Sequence, residues 1–138
     1  MNRHIIFLVL TLLFLTNCTD CKKNQNLTDI KSIEFYFTPL DILSPVDGFD
    51  EKSITTTFKH SITEKTRIDE ILKLIKSLEV SNDELIKKGI YLRADFINEK
   101  GVRKILLFDK MTFKLGNCSY KDDDRLFQTI TRGFKWGG

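Results

Sequence analysis

Histidine is nearly absent from this sequence. Of 138 residues two are histidine, and His4 falls just ahead of an apolar leader, so His60 stands alone in the rest of the chain. That excludes a histidine-based metal site, and no serine, cysteine or acid is tied to His60 by a local catalytic motif. An excess of one charge is missing too, since 22 Lys and Arg stand against 19 Asp and Glu with the signs interspersed. Such a surface offers no basic footprint for nucleic acid. Internal repeats and low-complexity blocks are absent, and the two prolines, Pro39 and Pro45, fall in one stretch. The apolar leader Ile5 to Leu15 is also too short to cross a bilayer. As a helix it would rise about 16 Å, roughly half the thickness of the hydrocarbon core.

What is present at the amino end is an address. Met1 to His4 carry one fixed positive charge, Arg3, and Ile5 to Leu15 are apolar apart from Thr11. With no stop-transfer pattern behind it, this run reads as a cleaved export signal rather than a transmembrane helix. It ends in Leu15, Thr16, Asn17, Cys18. That ending resembles the lipobox of bacterial lipoproteins, with Asn17 where Gly or Ala is usual, and the resemblance covers the signal only. It implies a diacylglyceryl group on the Cys18 thiol, cleavage just before Cys18, and acylation (palmitate, for example) of the new amino group. The protein would then be exported and lipid-anchored to a bacterial membrane, at the outer membrane or the periplasmic or cell-surface side. An ordinary secretory signal cut nearby and an uncut anchor are the plainer readings of the same run.

The chain divides accordingly into a signal peptide at 1–17, a lipidated cysteine and polar tether at 18–28, and a single small domain at 29–138. The tether expectation rests on Thr19 to Thr28, nearly all polar and without periodicity. If Cys18 carries lipid, Cys21 and Cys118 remain as a pair in an oxidising compartment. A disulfide between them would close a loop of nearly a hundred residues, although connectivity from sequence alone stays open.

Within the domain, Ile33, Phe35 and Phe37 alternate with polar neighbours, which predicts a half-buried strand over 29–38. Pro39, Pro45, Asp47 and Gly48 mark an irregular connection. A second strand is predicted over 52–61, with Ile54, Thr56, Phe58 and His60 on one face. Ile68, Ile71, Leu72, Ile75 and Leu78 recur at helical spacing behind a capping box of Thr66 and Asp69. A short helical turn is expected at 84–88. Next comes a hairpin, with Leu92, Ala94 and Phe96 before a turn at 98–101 and a strand over 102–108. A further strand holds Phe113 and Leu115 and stops at Gly116. The final helix carries Leu126, Phe127, Ile130 and Phe134, with Asp122 to Asp124 at its positive end. The expected architecture is α+β: a two-layer domain with a five-stranded, mainly antiparallel sheet in ββαβββα order and two helices packed on one face.

No catalytic, cofactor-binding or metal-binding constellation emerges, and no cofactor, metal or nucleic acid is expected. Asp122 to Asp124 lack the alternating acids, glycine and distal glutamate of a calcium loop, so helix capping is the better reading. Tyr91, Arg93 and Arg103 share the outer face of the hairpin beside Asp95, and an aromatic beside arginines is the stuff of interface anchors. The function expected is therefore a membrane-anchored, non-enzymatic binding module of the cell envelope, with the membrane and an envelope protein as partners. The alternative is a small envelope hydrolase or thiol enzyme using His60 or Cys118. A passive structural lipoprotein is a third reading.

Overall fold

A computed structural model of the protein describes residues 20–38, 48–84 and 89–134. The leader, Cys18, Pro39, Pro45, most of the expected turn at 84–88 and the tail 135–138 lie outside the described residues.

The protein is α+β, as its periodicities predict. Its sheet has seven strands rather than five, however, and a different order of elements. These are β1 (Ile30–Phe37), β2 (Phe58–Ile62), β3 (Val80–Ser81), β4 (Leu92–Asn98), β5 (Arg103–Phe108), β6 (Thr112–Leu115) and β7 (Cys118–Lys121). They lie side by side as β2-β1-β4-β5-β6-β7-β3, and every described pairing is antiparallel. The helices α1 (Lys65–Lys76) and α2 (Asp124–Thr131) follow β2 and β7, and residues 20–24 are helical as well.

The two added strands escape periodicity for simple reasons. β3 is two residues long, too short to show any period. β7 follows Gly116 and Asn117, which do not stop the chain but turn it: Leu115 pairs with Cys118 across a two-residue loop. Gly116 supplies the positive φ of +60° that the first loop position of a type II′ hairpin requires.

The predicted strand over 52–61 is split. Ser53–Thr56 form a 3-10 turn, and only Phe58–Ile62 are strand. Asp50 Oδ1 accepts hydrogen bonds from the backbone amides of Lys52 and Ser53, at 3.0 and 2.7 Å. The hydroxyls of Thr55, Thr56 and Thr57 donate back to carbonyls three residues earlier. Local bonds of this kind compete with a sheet ladder and win here. The turn then lies over the second face of the sheet, where Ile54, Ile90 and Leu107 form a small core with Tyr36, Phe49 and Ile105. Phe49 bridges to Ile90, and a side chain at Gly48 would come within 2.6 Å of Gly89 Cα, so that close approach needs glycine.

The main core lies between the other face and the helices. Ile33, Phe35 and Phe37 of β1, Phe96 of β4 and Phe113 of β6 meet Ile68, Ile71 and Ile75 of α1 and Leu126 and Ile130 of α2. The apolar stripe of α1 is where the spacing puts it. Its N-cap is Glu64, which makes no capping bond, so Thr66 and Asp69 lie inside the helix instead of forming a box. At α2 the acids act as expected: Asp123 is the N-cap and accepts from the Arg125 amide at 2.9 Å.

The span expected as a tether is packed from residue 20 onward. Cys21 is bonded to Cys118, with Cα atoms 5.6 Å apart. The Tyr120 hydroxyl, which burial pushes up to about 12, donates to the Cys21 carbonyl at 2.6 Å. Gln25 is buried, and its Nε2 donates to the carbonyls of Ile75 at 2.7 Å and Leu78 at 2.8 Å. These carbonyls lie at and just past the end of α1, where Ile75 also accepts from the Leu78 amide at 3.2 Å and a helix leaves its last carbonyls short of partners. Leu27 is 6% exposed in the main core. A run of polar residues thus reads as linker, although one of its amides is a helix cap and one leucine is core.

Gln25→Ala should lower stability by about 1–2 kcal/mol, because in a buried place the Leu78 carbonyl loses the amide that reaches it and the Ile75 carbonyl keeps only its backbone donor. The loss stays low in that range because Gln25 Oε1 itself has no partner among the described residues, so one unsatisfied atom leaves with the side chain. Urea denaturation of the variant beside wild type measures it, and an unchanged midpoint would refute the capping role.

Candidate functional site

The polar centre of the molecule lies on the second face of the sheet, where β2, β1, β4 and β5 are successive neighbours. Parity puts Glu34 and Tyr36 of β1 on this face, because Ile33, Phe35 and Phe37 take the other. Glu34 stands directly opposite Asp95 in the register of β1 with β4. Two carboxylates so placed repel one another, and Arg103 bridges them. Its Nη1 donates to Asp95 Oδ2 at 2.9 Å and to Glu34 Oε2 at 3.3 Å.

Asp95 is the buried member, 1% exposed. Arg93 grips it with two donors, Nε to Oδ1 at 2.6 Å and Nη2 to Oδ2 at 3.0 Å. The third arm, Nη1, donates to the Glu51 carbonyl at 2.7 Å, tying the network to the segment that crosses this face. Bidentate pairing of this kind is the strong form of a charged hydrogen bond. The bonds to Asp95 push both guanidiniums still further above the ordinary arginine value.

At the open side of the network, the Tyr36 hydroxyl donates to Glu34 Oε2 at 3.1 Å and Lys59 Nζ lies 3.5 Å from Glu34 Oε1. Burial pushes the Glu34 carboxyl up, but the Tyr36 hydrogen bond and the charges of Lys59 and Arg103 outweigh it and hold the group below its usual 4.5. Its share of stability is therefore present above pH 4.5 and lost as pH falls through the lower folded value. Arg103 and Lys59 each keep about half of their side-chain surface in water.

The three residues singled out from the sequence meet different fates here. Arg93 is spent on Asp95 and Glu51, with 14% of its side chain exposed. Tyr91 is capped by Lys110, whose Nζ sits 4.0 Å from the ring centroid. Arg103 alone presents a free side of its guanidinium to solvent. Glu34, Tyr36 and Lys59 were not singled out, because β1 and β2 meet the hairpin only through long-range pairing that one sequence does not display.

His60 and Cys118 are not brought together. β2 and β7 are separated by four strands, roughly 24 Å at the usual strand spacing, far beyond hydrogen-bond reach. Cys118 is held in the disulfide. His60 lies with its ring 5.2 Å from Phe134, and burial, followed by the charge of Arg67, lowers its pKa below the ordinary 6.5. Among the described residues no group of His, Cys, Asp or Glu could hold a metal ion. Comparison with protein families, curated proteins and solved structures finds no match to this chain.

The depressed His60 makes a pH prediction. Its imidazole should titrate below 6.5 in a proton NMR titration of the folded protein. The stability it contributes is complete above 6.5 and is lost as pH falls through the folded value. A midpoint at or above 6.5 would contradict the packing of β2 against Arg67 and Phe134.

Proposed function

We propose that this protein is a membrane-anchored lipoprotein of the cell envelope, acylated at Cys18, that acts as a non-enzymatic binding module. The observation that carries the binding role is the open rim of the charged network. Arg103, half exposed, is held rigid by two carboxylates on adjacent strands, beside Lys59 and Tyr36. A preorganised arginine next to a tyrosine loses little freedom on contact and suits the centre of an interface. The Cys21 to Cys118 disulfide favours an exported protein, since such bonds persist in oxidising compartments. The partner is an envelope protein or another envelope component that offers carboxylates to Arg103 and Lys59.

Two measurements test this reading. The intact mass of the protein recovered from membranes should show an amino terminus at Cys18 with acyl mass; an intact Met1 or an unacylated soluble product removes the anchor. Gentle crosslinking in the envelope should trap a partner with wild type and not with a Lys59→Glu, Arg103→Glu variant. A chain recovered uncrosslinked in both cases would remove the binding role.

A further inference from the structure

We propose that one end of the sheet is built to lie against an anionic phospholipid surface, so that the anchored domain has a fixed orientation on the membrane. The proposal rests on acylation of Cys18. Thr19 alone separates Cys18 from Asp20, the first described residue, and two residue steps span at most about 7 Å. From Asp20 the chain is helical and then fastened at Cys21 and Gln25. A lipid on Cys18 would therefore hold the domain close, with no free leash to let it tumble.

The end of the sheet next to this attachment is identifiable from register. Asp20, Cys21 and Asn24 line a cavity with the β6–β7 turn at Gly116 and Asn117. Gly116 also lines a second cavity of about 250 Å³ with Glu51, Arg103, Lys104 and Lys114. Because Leu106 pairs with Leu115, the start of β5 and the β4–β5 turn lie at the same end. That turn carries Lys100 and Val102, and Val102 is 53% exposed. Lys22 and Lys23 sit exposed on the helical segment itself.

The chemistry of this end fits a membrane surface. Among the described residues Lys22, Lys23, Lys100 and Lys104 make no ion pair, while Asp20 and Glu99 are the acids nearest in sequence and Glu51 lines the cavity beside Lys104. An exposed valine among unpaired lysines can meet the headgroup layer with its apolar side while the ammonium groups meet lipid phosphates. The opposite end, with the β5–β6 turn at Lys110, points away.

The test is lysine acetylation footprinting, read residue by residue by mass spectrometry on the full acylated protein. It is carried out in phosphatidylcholine vesicles, in vesicles containing phosphatidylglycerol, and in detergent. Relative to detergent, Lys22, Lys23, Lys100 and Lys104 should be protected about threefold or more in the anionic vesicles, as expected for lysines held at such a surface. Lys110 should be unchanged. Protection should fade in about 1 M salt, where the screening length drops to about 3 Å, and a Lys100→Glu, Lys104→Glu variant should lose protection at Lys22 and Lys23. Equal modification in all three environments, or protection of Lys110 instead, would overturn the orientation while leaving the anchor in place. The mass of the same sample reports the anchor separately, and without acyl mass on Cys18 both fall.

Discussion

Replacing Cys21 and Cys118 together by serine should destabilise the protein by about 4–5 kcal/mol. The bond spans 97 positions in sequence, and in the chain-entropy account a closed loop of that size removes about this much disorder from the unfolded chain. For a domain of this length, that loss corresponds to a fall in Tm of roughly 15–20 °C. The folded geometry should change little, because Gln25 still reaches the end of α1 and Leu27 still lies in the core. Circular dichroism of the variant below its transition should therefore match wild type. In the denatured, unreduced wild-type protein no thiol should be titratable at Cys21 or Cys118. A loss below about 1 kcal/mol in the double variant, or two titratable thiols in wild type, would refute the bridge as a source of stability.

The bridge also shows what kind of information a single sequence holds. The stripe of Ile68, Ile71 and Ile75, the alternation through Ile33, Phe35 and Phe37, and the turn after Asn98 are all set by neighbours a few residues away, and all are where the spacing puts them. Cys21 and Cys118 were legible as a pair only by counting. The role of Gln25 was not legible at all, because its three carbonyl partners are about fifty positions distant and an amide in a polar run looks like any other. Ser53–Thr56 failed for a different reason. Threonine alternation suits a strand, but the same hydroxyls can bond their own backbone, and Asp50 tips the balance. The candidate site divides along the same line. Arg93, Asp95 and Arg103 share a hairpin and were readable as a cluster, whereas Glu34, Tyr36 and Lys59 join it through strand pairings that bring distant segments together.

Asp95→Ala is the second large effect, expected to cost about 3–5 kcal/mol, the range for breaking a buried ion pair from one side. The carboxylate is 1% exposed and receives three hydrogen bonds, two from Arg93 and one from Arg103. Without it the Arg93 guanidinium keeps one hydrogen bond, to the Glu51 carbonyl, and the face of the Tyr36 ring 5.9 Å away, in a place where water reaches 14% of its side chain. The cost is thus mainly that of a stranded cation, and this makes two further outcomes follow. Arg103→Gln should leave stability nearly unchanged, because Arg103 is half in water and can be replaced by solvent. The double variant Arg93→Met, Asp95→Leu should recover much of the loss, since filling the same volume with apolar side chains removes both charges at once. Urea denaturation of the three variants separates these cases. If Asp95→Ala shifted stability by no more than about 0.5 kcal/mol, the size of an ordinary surface change, the network would be a surface ornament and Arg103 would lose the rigidity that the binding role requires.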